Sequence, residues 1–529
     1  MTPSELRRRW RDGEEVALFD AREEGPFAEA HPFFAVSLPP SQVELRAYDL
    51  VPRRSAPIVV YDAGEGLAER VAGRLRDLGY TDVSLLEGGL AGYAREGQLF
   101  RDVNVPSKSF GELVESTCHT PSLSAPEVKA LIDEGANIAV LDVRRFEEFR
   151  TMSIPKGLNV PNAELTLRVF DLVPSPDTLV IVNCAGRTRS IIGTQTLINA
   201  GLPNRVAALR NGTIGWTLEG YGLESGQTRT FPSGAPSSAA RAKAAASRWA
   251  ARVGVRTIDR ATLDTWIAER DSHTLYQLDV RTPAEHAAGH PSGFRSAPGG
   301  QLVQATDEWI AVRGARIVLF DVAGVRAQMT ASWLAQMGWD AVVIDPGAVA
   351  ADETGVAPPN RPPFPDDGID ACTPLELAAM DAVVIDVGPS ADYSRGHIPG
   401  ARFVLRSRFA EDLPGPKDDR PLVLTSPDGV LARYAAPEAA PEAAAEAAAA
   451  SGRRVCVLAG GTAAWVAAGL PLDRAVHDWA SPAIDRYKRP YEGTDSTREA
   501  MQAYIDWELK LVAQMAADGI NRFRVVAPE

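Results

Sequence analysis

Residues 178–190 read TLVIVNCAGRTRS: an apolar run ending at Asn183, then Cys184, a glycine and two arginines, then the start of the helical pattern SIIGTQTLINAG. An apolar run this short, closed by a glycine loop and followed by residues at helical spacing, predicts a buried strand that feeds a helix. The pattern recurs as PIVVYDAGEG, RIVLFDVAGV and PLVLTSPDGV. Upstream of each copy lies another apolar run ending in Asp: ALFDAR (Asp20, Arg22), AVLDVR (Asp142, Arg144), YQLDVR (Asp279, Arg281) and VVIDVG (Asp386, Gly388). Asp20 to Asp62, Asp142 to Cys184 and Asp279 to Asp321 are each 42 residues apart, and Asp386 to Ser426 is 40. Spacing kept this closely is the mark of an internal repeat.

Each copy continues into a third apolar run and a glycine turn: VSLLEGGLAGY, VAALRNGTIGW, AVVIDPGAVA and VCVLAGGTAAW. A unit therefore reads strand, helix, strand, loop, helix, strand, turn. Short uninterrupted apolar runs alternating with helices predict an α/β chain of four small parallel sheets, each flanked by helices. The expected units are 1–104, 118–226, 254–350 and 366–474, with a helical extension over 475–529. Ser-, Ala- and Gly-rich residues 224–247 and Pro-rich residues 351–368 mark the joints. AAPEAAPEAAAEAAAASG (435–452) predicts an Ala/Glu helix, and TREAMQAYIDWELKLVAQMAADGI a terminal helix packed on a neighbouring unit.

Composition bounds the function. The 529 residues suffice for several domains, with 45% hydrophobic and 23% charged residues, ordinary for a globular protein. A net charge of −14 disfavours general binding of nucleic acid or anionic membrane. No apolar window is long enough to cross a bilayer, the N-terminus lacks a signal-like apolar core, and four cysteines form no disulfide framework. A reducing, cytoplasmic setting is expected, with no metal or cofactor; oligomeric state is not legible. Arg7, Arg8 and Arg9 are read as a solvated helix face.

The loop after Asn183 is where chemistry is expected, since ligands of parallel α/β sheets bind at the carboxyl ends of strands. Amide hydrogens turned inward at a helix N-terminus, with Arg187 and Arg189, would lower the Cys184 pKa and admit a small anion. Cys456 reads as packed in a strand, and Cys118 and Cys372 as incidental. Asp142 with Arg144 reads as an ion pair bracing the loop. Gly64 and Gly66 lack the third glycine of a dinucleotide loop.

At this level the units resemble rhodanese domains, through Asp142, Arg144, Glu148 and Phe149, through the GHIPGA box from Gly396 to Ala401, and through CAGRTRS. The resemblance implies four tandem rhodanese-like domains and a sulfurtransferase. Cys184 would take a sulfane sulfur from a small anionic donor such as thiosulfate and pass it to a thiol or cyanide, or to a protein thiol. It further implies that Ala185, Gly186, Arg187, Thr188 and Arg189 hold the substrate, with Asp142, Arg144 and Ser190 supporting the loop. Asp62, Asp321 and Ser426 stand where cysteine is needed, so three units are expected to be inactive. The second unit reads MSIPKG where the box has Gly-His, which leaves its local loop shape open. Phosphatase relatives need Arg where Ser190 stands, which disfavours phosphate chemistry. The competing class is a non-catalytic scaffold or redox sensor.

Overall fold

Apolar runs of four or five residues can be satisfied only between two covering layers, and each becomes the centre of a parallel sheet. The structure is a computed structural model that describes residues 1–234, 236–365, 368–413, 420–444, 454–475 and 479–528. In the second unit the strands are Ser122–Leu123, Ile138–Asp142, Leu158–Asn159, Leu179–Asn183 and Val206–Leu209. Their order across the sheet is first, fifth, fourth, second, third, and all pairs are parallel. The five-stranded sheets of the third and fourth units repeat this order; the first unit has four strands and lacks the first position. Leu179–Asn183 thus lies mid-sheet, and its loop leaves at the carboxyl edge where ligands bind.

The Asp/Arg repeat braces that edge. Arg144 Nε and Nη2 donate to Asp142 at 2.9 and 2.7 Å, and Nη2 also reaches the Met152 carbonyl at 2.6 Å. Register places Asp142 beside Asn183, whose Nδ2 donates to Asp142 at 2.8 Å, so the brace reaches the residue before Cys184. Arg22 and Arg281 repeat it on Asp20 and Asp279. The fourth unit has Gly388 instead, because a Cβ there would lie 2.6 Å from Pro427 Cδ. Without its arginine, burial pushes the Asp386 carboxyl up to about 7.

The MSIPKG segment keeps the shape of the equivalent segments in the third and fourth units despite its different residues. Ser153 pairs with Glu224 through two 2.8 Å backbone bonds, as His290 does with Glu353 and His397 with Asp473. Lys156 takes the left-handed conformation that Gly293 and Gly400 hold in the other units. His290 and His397 stack on His286 and Tyr393 and bond to backbone, a fold role.

Two expectations are corrected, one about a joint and one about the first helix. Residues 239–247 do not form a loose joint: they begin the helix Ala239–Val253, whose small buried face of Ala242, Ala245 and Ala246, with Trp249, packs in the core. Arg7 is not solvated: it donates to Asp518 at 2.6 Å and to the Tyr93 hydroxyl, tying the first helix to the tail. The helix predicted over 435–452 is seen as Val430–Ala444, and its remainder lies outside the described residues. Tail helices Arg498–Glu508 and Leu511–Asp518 pack on the first unit and on the helix Val105–Cys118.

The first and third units share one core containing Phe19, Val60, Leu278 and Leu319. Arg406 of the fourth unit reaches the first, donating to Glu44 at 2.7 and 2.9 Å in full burial. Burial alone would raise the Glu44 carboxyl, but Arg406 and Arg74 hold it below the usual carboxylate range. A carboxyl depressed on folding stabilises above its unfolded pKa and loses that contribution as pH falls through its folded value. Arg406→Ala is therefore expected to cost about 3–5 kcal/mol at neutral pH, and to reduce the loss of stability on acidification. Urea unfolding at neutral and acid pH checks both.

Candidate active site

Cys184 follows the strand Leu179–Asn183, and the helix Thr188–Asn199 starts four residues later. The loop's carbonyls are fixed on its outer side: Thr213 N donates to Cys184 O at 2.9 Å and Ile214 N to Ala185 O at 3.0 Å. Gly212 allows this approach, since a Cβ there would fall 2.3 Å from Cys184 O. With carbonyls outward, amide hydrogens face the loop's interior, and those opening a helix have no partner within it. Among the described residues no acceptor takes the amide hydrogens of Gly186, Arg187, Thr188 or Arg189.

The other three loops show what such a cup holds. Asp62 accepts from Gly64 N at 3.0 Å and Ala68 N at 2.9 Å. Asp321 accepts from Val325 N at 2.9 Å and Arg326 N at 2.8 Å, and pairs with the Arg326 guanidinium. Ser426 Oγ accepts from Ala432 N at 3.3 Å. In these units the side chain in the cysteine position fills the anion site with its own oxygen. In the second unit a sulfur stands there instead.

Cys184 is 1% exposed, and Sγ lies 3.5 Å from Ser190 Oγ, which itself donates to Arg187 O. The expected lowering of its pKa is corrected. Burial pushes the thiol up; Arg189 and Ser190 pull it down without prevailing, and Glu508 adds to the rise. Desolvation is worth more here than one guanidinium and one amide.

The two arginines have separate fates. Arg189 forks onto Glu148 at 2.8 and 2.9 Å and still acts on the thiol; burial alone would raise Glu148, but Arg189 holds it at about 2. Arg187 is not free to hold a donor, a second correction. Its guanidinium is bound to Glu112 at 2.7 and 2.8 Å, to Glu115, and to Asn211 at 3.1 Å. It secures the loop to the helix Val105–Cys118. Thr188 Oγ1 donates to Glu508 at 3.2 Å, and Gly186 leaves room for the tail, since its Cβ would lie 3.3 Å from Tyr504 Cε1.

A cavity of about 20 Å3 lies against Cys184, Gly186 and Arg189, room for roughly one water-sized atom. Six lining residues escaped the sequence reading: Asn104, Lys108, Gln304, Tyr491, Tyr504 and Glu508. They come from the helix after the first unit, the third unit and the tail. Lys108 is buried, donates to Asp102 at 2.5 Å and lies 5.2–5.6 Å from the ring centroids of Tyr504, Trp507 and Tyr491. Helical spacing puts Tyr504 and Glu508 on one face of their helix, but it does not show which unit that face meets. A larger cavity of about 460 Å3 shares Asn104, Arg189, Gln304 and Tyr491 with the first and adds Arg144, Arg145, Arg486 and Arg489. Its lining also holds Glu147, together with Glu148, Glu308 and Glu492, which pair with several of these arginines. Among the described residues no helix is long and apolar enough to cross a membrane.

The family model for the rhodanese-like domain matches residues 2–96, 124–219 and 373–468. The third sheet, outside those matches, has the same strand order as the second and fourth. The crystal structure of thiosulfate sulfurtransferase from Pseudomonas aeruginosa is 52% identical over 99% of both chains, with a TM-score of 0.94. A protein of Anabaena sp. is 28% identical, covering 20% of this chain and 86% of its own, with a TM-score of 0.19. A rhodanese-related protein from Thermoplasma volcanium is 27% identical over 20% of this chain and 97% of its own, with a TM-score of 0.18. No curated protein matches the chain.

The separate duties of the arginines are testable by ultraviolet titration of the thiolate, assigned to Cys184 by difference from Cys184→Ser. Arg189→Met should move the titration to higher pH, because it removes the guanidinium that favours the thiolate. Arg187→Met should leave it nearly in place but destabilise the fold by about 3 kcal/mol, by stranding buried Glu112.

Proposed function

The chain belongs to the rhodanese family and is a rhodanese-type sulfurtransferase, and from that premise we propose that it moves a sulfane sulfur from thiosulfate, or a similar small anionic donor, to a thiophilic acceptor through a persulfide on Cys184. The observation that carries this reading is that, among the described residues, the cup at Cys184 is the one of four that pairs a thiol with unclaimed amide hydrogens. The ionised sulfur attacks the outer sulfur of thiosulfate, the sulfur–sulfur bond of the donor breaks, and sulfite leaves with the bonding pair. The terminal sulfur of the persulfide then occupies the atom-sized cavity, where the amides of Gly186 to Arg189, the helix dipole and the Arg189 charge stabilise it. Ser190 stands where phosphatase relatives need an arginine, which argues against phosphatase chemistry. The sulfonate end of the donor faces the larger cavity, whose lining holds paired arginines and glutamates. Cyanide or a thiol, a protein thiol included, attacks the terminal sulfur and releases Cys184.

Ala185 and Thr188 shape the cup, and Asp142, Arg144 and Ser190 hold it in register. We read residues 118–226 as the catalytic unit and 1–104, 254–350 and 366–474 as inactive units, with 475–529 as a covering extension. Asp62 and Asp321 carry no sulfur, and among the described residues Ser426 Oγ meets no base. A reducing, cytoplasmic compartment suits a chain that works through a free thiol.

Incubation with thiosulfate should add one sulfur atom to the Cys184 peptide by mass spectrometry, and cyanide should remove it as thiocyanate. Cys184→Ser should lose thiocyanate production by about a thousand-fold or more. Turnover near the unmodified level in that variant would leave only the scaffold reading.

A further inference from the structure

We propose that Glu508, contributed by the tail, is the group that receives the proton of Cys184 and returns it, across the atom-sized cavity between them. This rests on Cys184 being the nucleophile. Glu508 ends the helix Arg498–Glu508, is 1% exposed, and lines the same cavity as Cys184 and Gly186. Its Oε1 accepts from Thr188 Oγ1, whereas Oε2 has no hydrogen-bond partner among the described residues. A Cβ placed on Gly186 would lie 3.6 Å from that free oxygen, so it rests directly on the cysteine loop.

A buried carboxylate oxygen without a donor is costly when charged, and the group favours holding a proton. The charged and titratable groups around it are Glu112 and Lys108 on the helix Val105–Cys118, Cys184, Arg187 and Arg189 at the loop, Tyr504 on its own helix, and Tyr491 in the preceding tail segment. Burial first, then Glu112, push it up to about 7, against Lys108, Tyr504 and Arg187. The thiol beside it is raised as well, chiefly by burial. Glu508 titrates as a pair with Glu112, and the thiol lining the same small cavity is the weak acid placed to hand it a proton.

In the first half-reaction the Cys184 proton passes to Glu508 Oε2, directly or through one water in the cavity. The sulfur takes the outer sulfur of thiosulfate, and sulfite departs as a dianion. The products are the persulfide anion and a neutral Glu508, so charge balances. In the second, cyanide bonds to the terminal sulfur, the persulfide bond breaks toward Cys184, and Glu508 returns its proton to that sulfur. Thiocyanate leaves, and Glu508 is again a carboxylate.

The test is single-turnover persulfide formation from thiosulfate in the full chain, read on the Cys184 peptide across pH. In the unmodified protein the rate should rise with pH through about 7 as Glu508 ionises. Glu508→Gln should lose that limb, run about a hundred-fold slower at neutral pH, and recover only where the thiol ionises unaided. Glu508→Asp, should Gln disturb folding, should keep the limb at a reduced rate. A Gln variant as fast as or faster than the parent at neutral pH would overturn the proposal, because the carboxylate would then act only as a repelling charge. A Gln variant slowed equally at every pH would overturn it too. Sulfur on a residue other than Cys184 would instead sink the nucleophile assignment, leaving the two failures distinct.

Discussion

An amide-lined cup at the start of a helix needs a partner for its hydrogens, and this requirement is met four times at the same place in the fold. Three units meet it internally, with Asp62, Asp321 and Ser426 accepting the loop amides. A carboxylate fixed there acts as a helix cap and leaves no room for a dissolved anion. The second unit places a sulfur in the cup, and the same donors are left for whatever sulfur and charge arrive. One geometry therefore stabilises in three copies and is open to chemistry in the fourth.

Burial sets the terms of that chemistry. Covering Cys184 raises its pKa, and this opposes the reactive form. The same low-dielectric surroundings strengthen the pull of Arg189 and of the amides on any negative sulfur formed there. A site of this kind is unreactive at rest and becomes effective when a proton leaves. That gives significance to a buried carboxyl with a free oxygen on the cavity wall.

The three units without a cysteine in the loop are joined to the second unit and to one another by specific contacts. The first shares a core with the third and anchors the tail through Arg7 and Asp518. The helix after it carries Lys108 to the cavity and Glu112 to Arg187. The third supplies Gln304, while its Arg326 pairs with Glu164 beside the second unit's sheet. The fourth is held by Arg406 on Glu44.

The repeat, the parallel strands, the Asp142–Arg144 brace and the position of Cys184 at a strand's end were all legible in the sequence. Each follows from interactions between residues close along the chain: alternation of apolar runs and helices, an i to i+2 ion pair, a glycine loop before a helix. The burial of the thiol, the capture of Arg187 by Glu112 and the approach of Glu508 were decided by tertiary packing. Glu508 lies 320 residues beyond the Thr188 hydroxyl it meets. Local periodicity records which face of a helix is buried but carries no information about which surface buries it, so the chemistry of the wall opposite Cys184 emerged only when separate units closed around it.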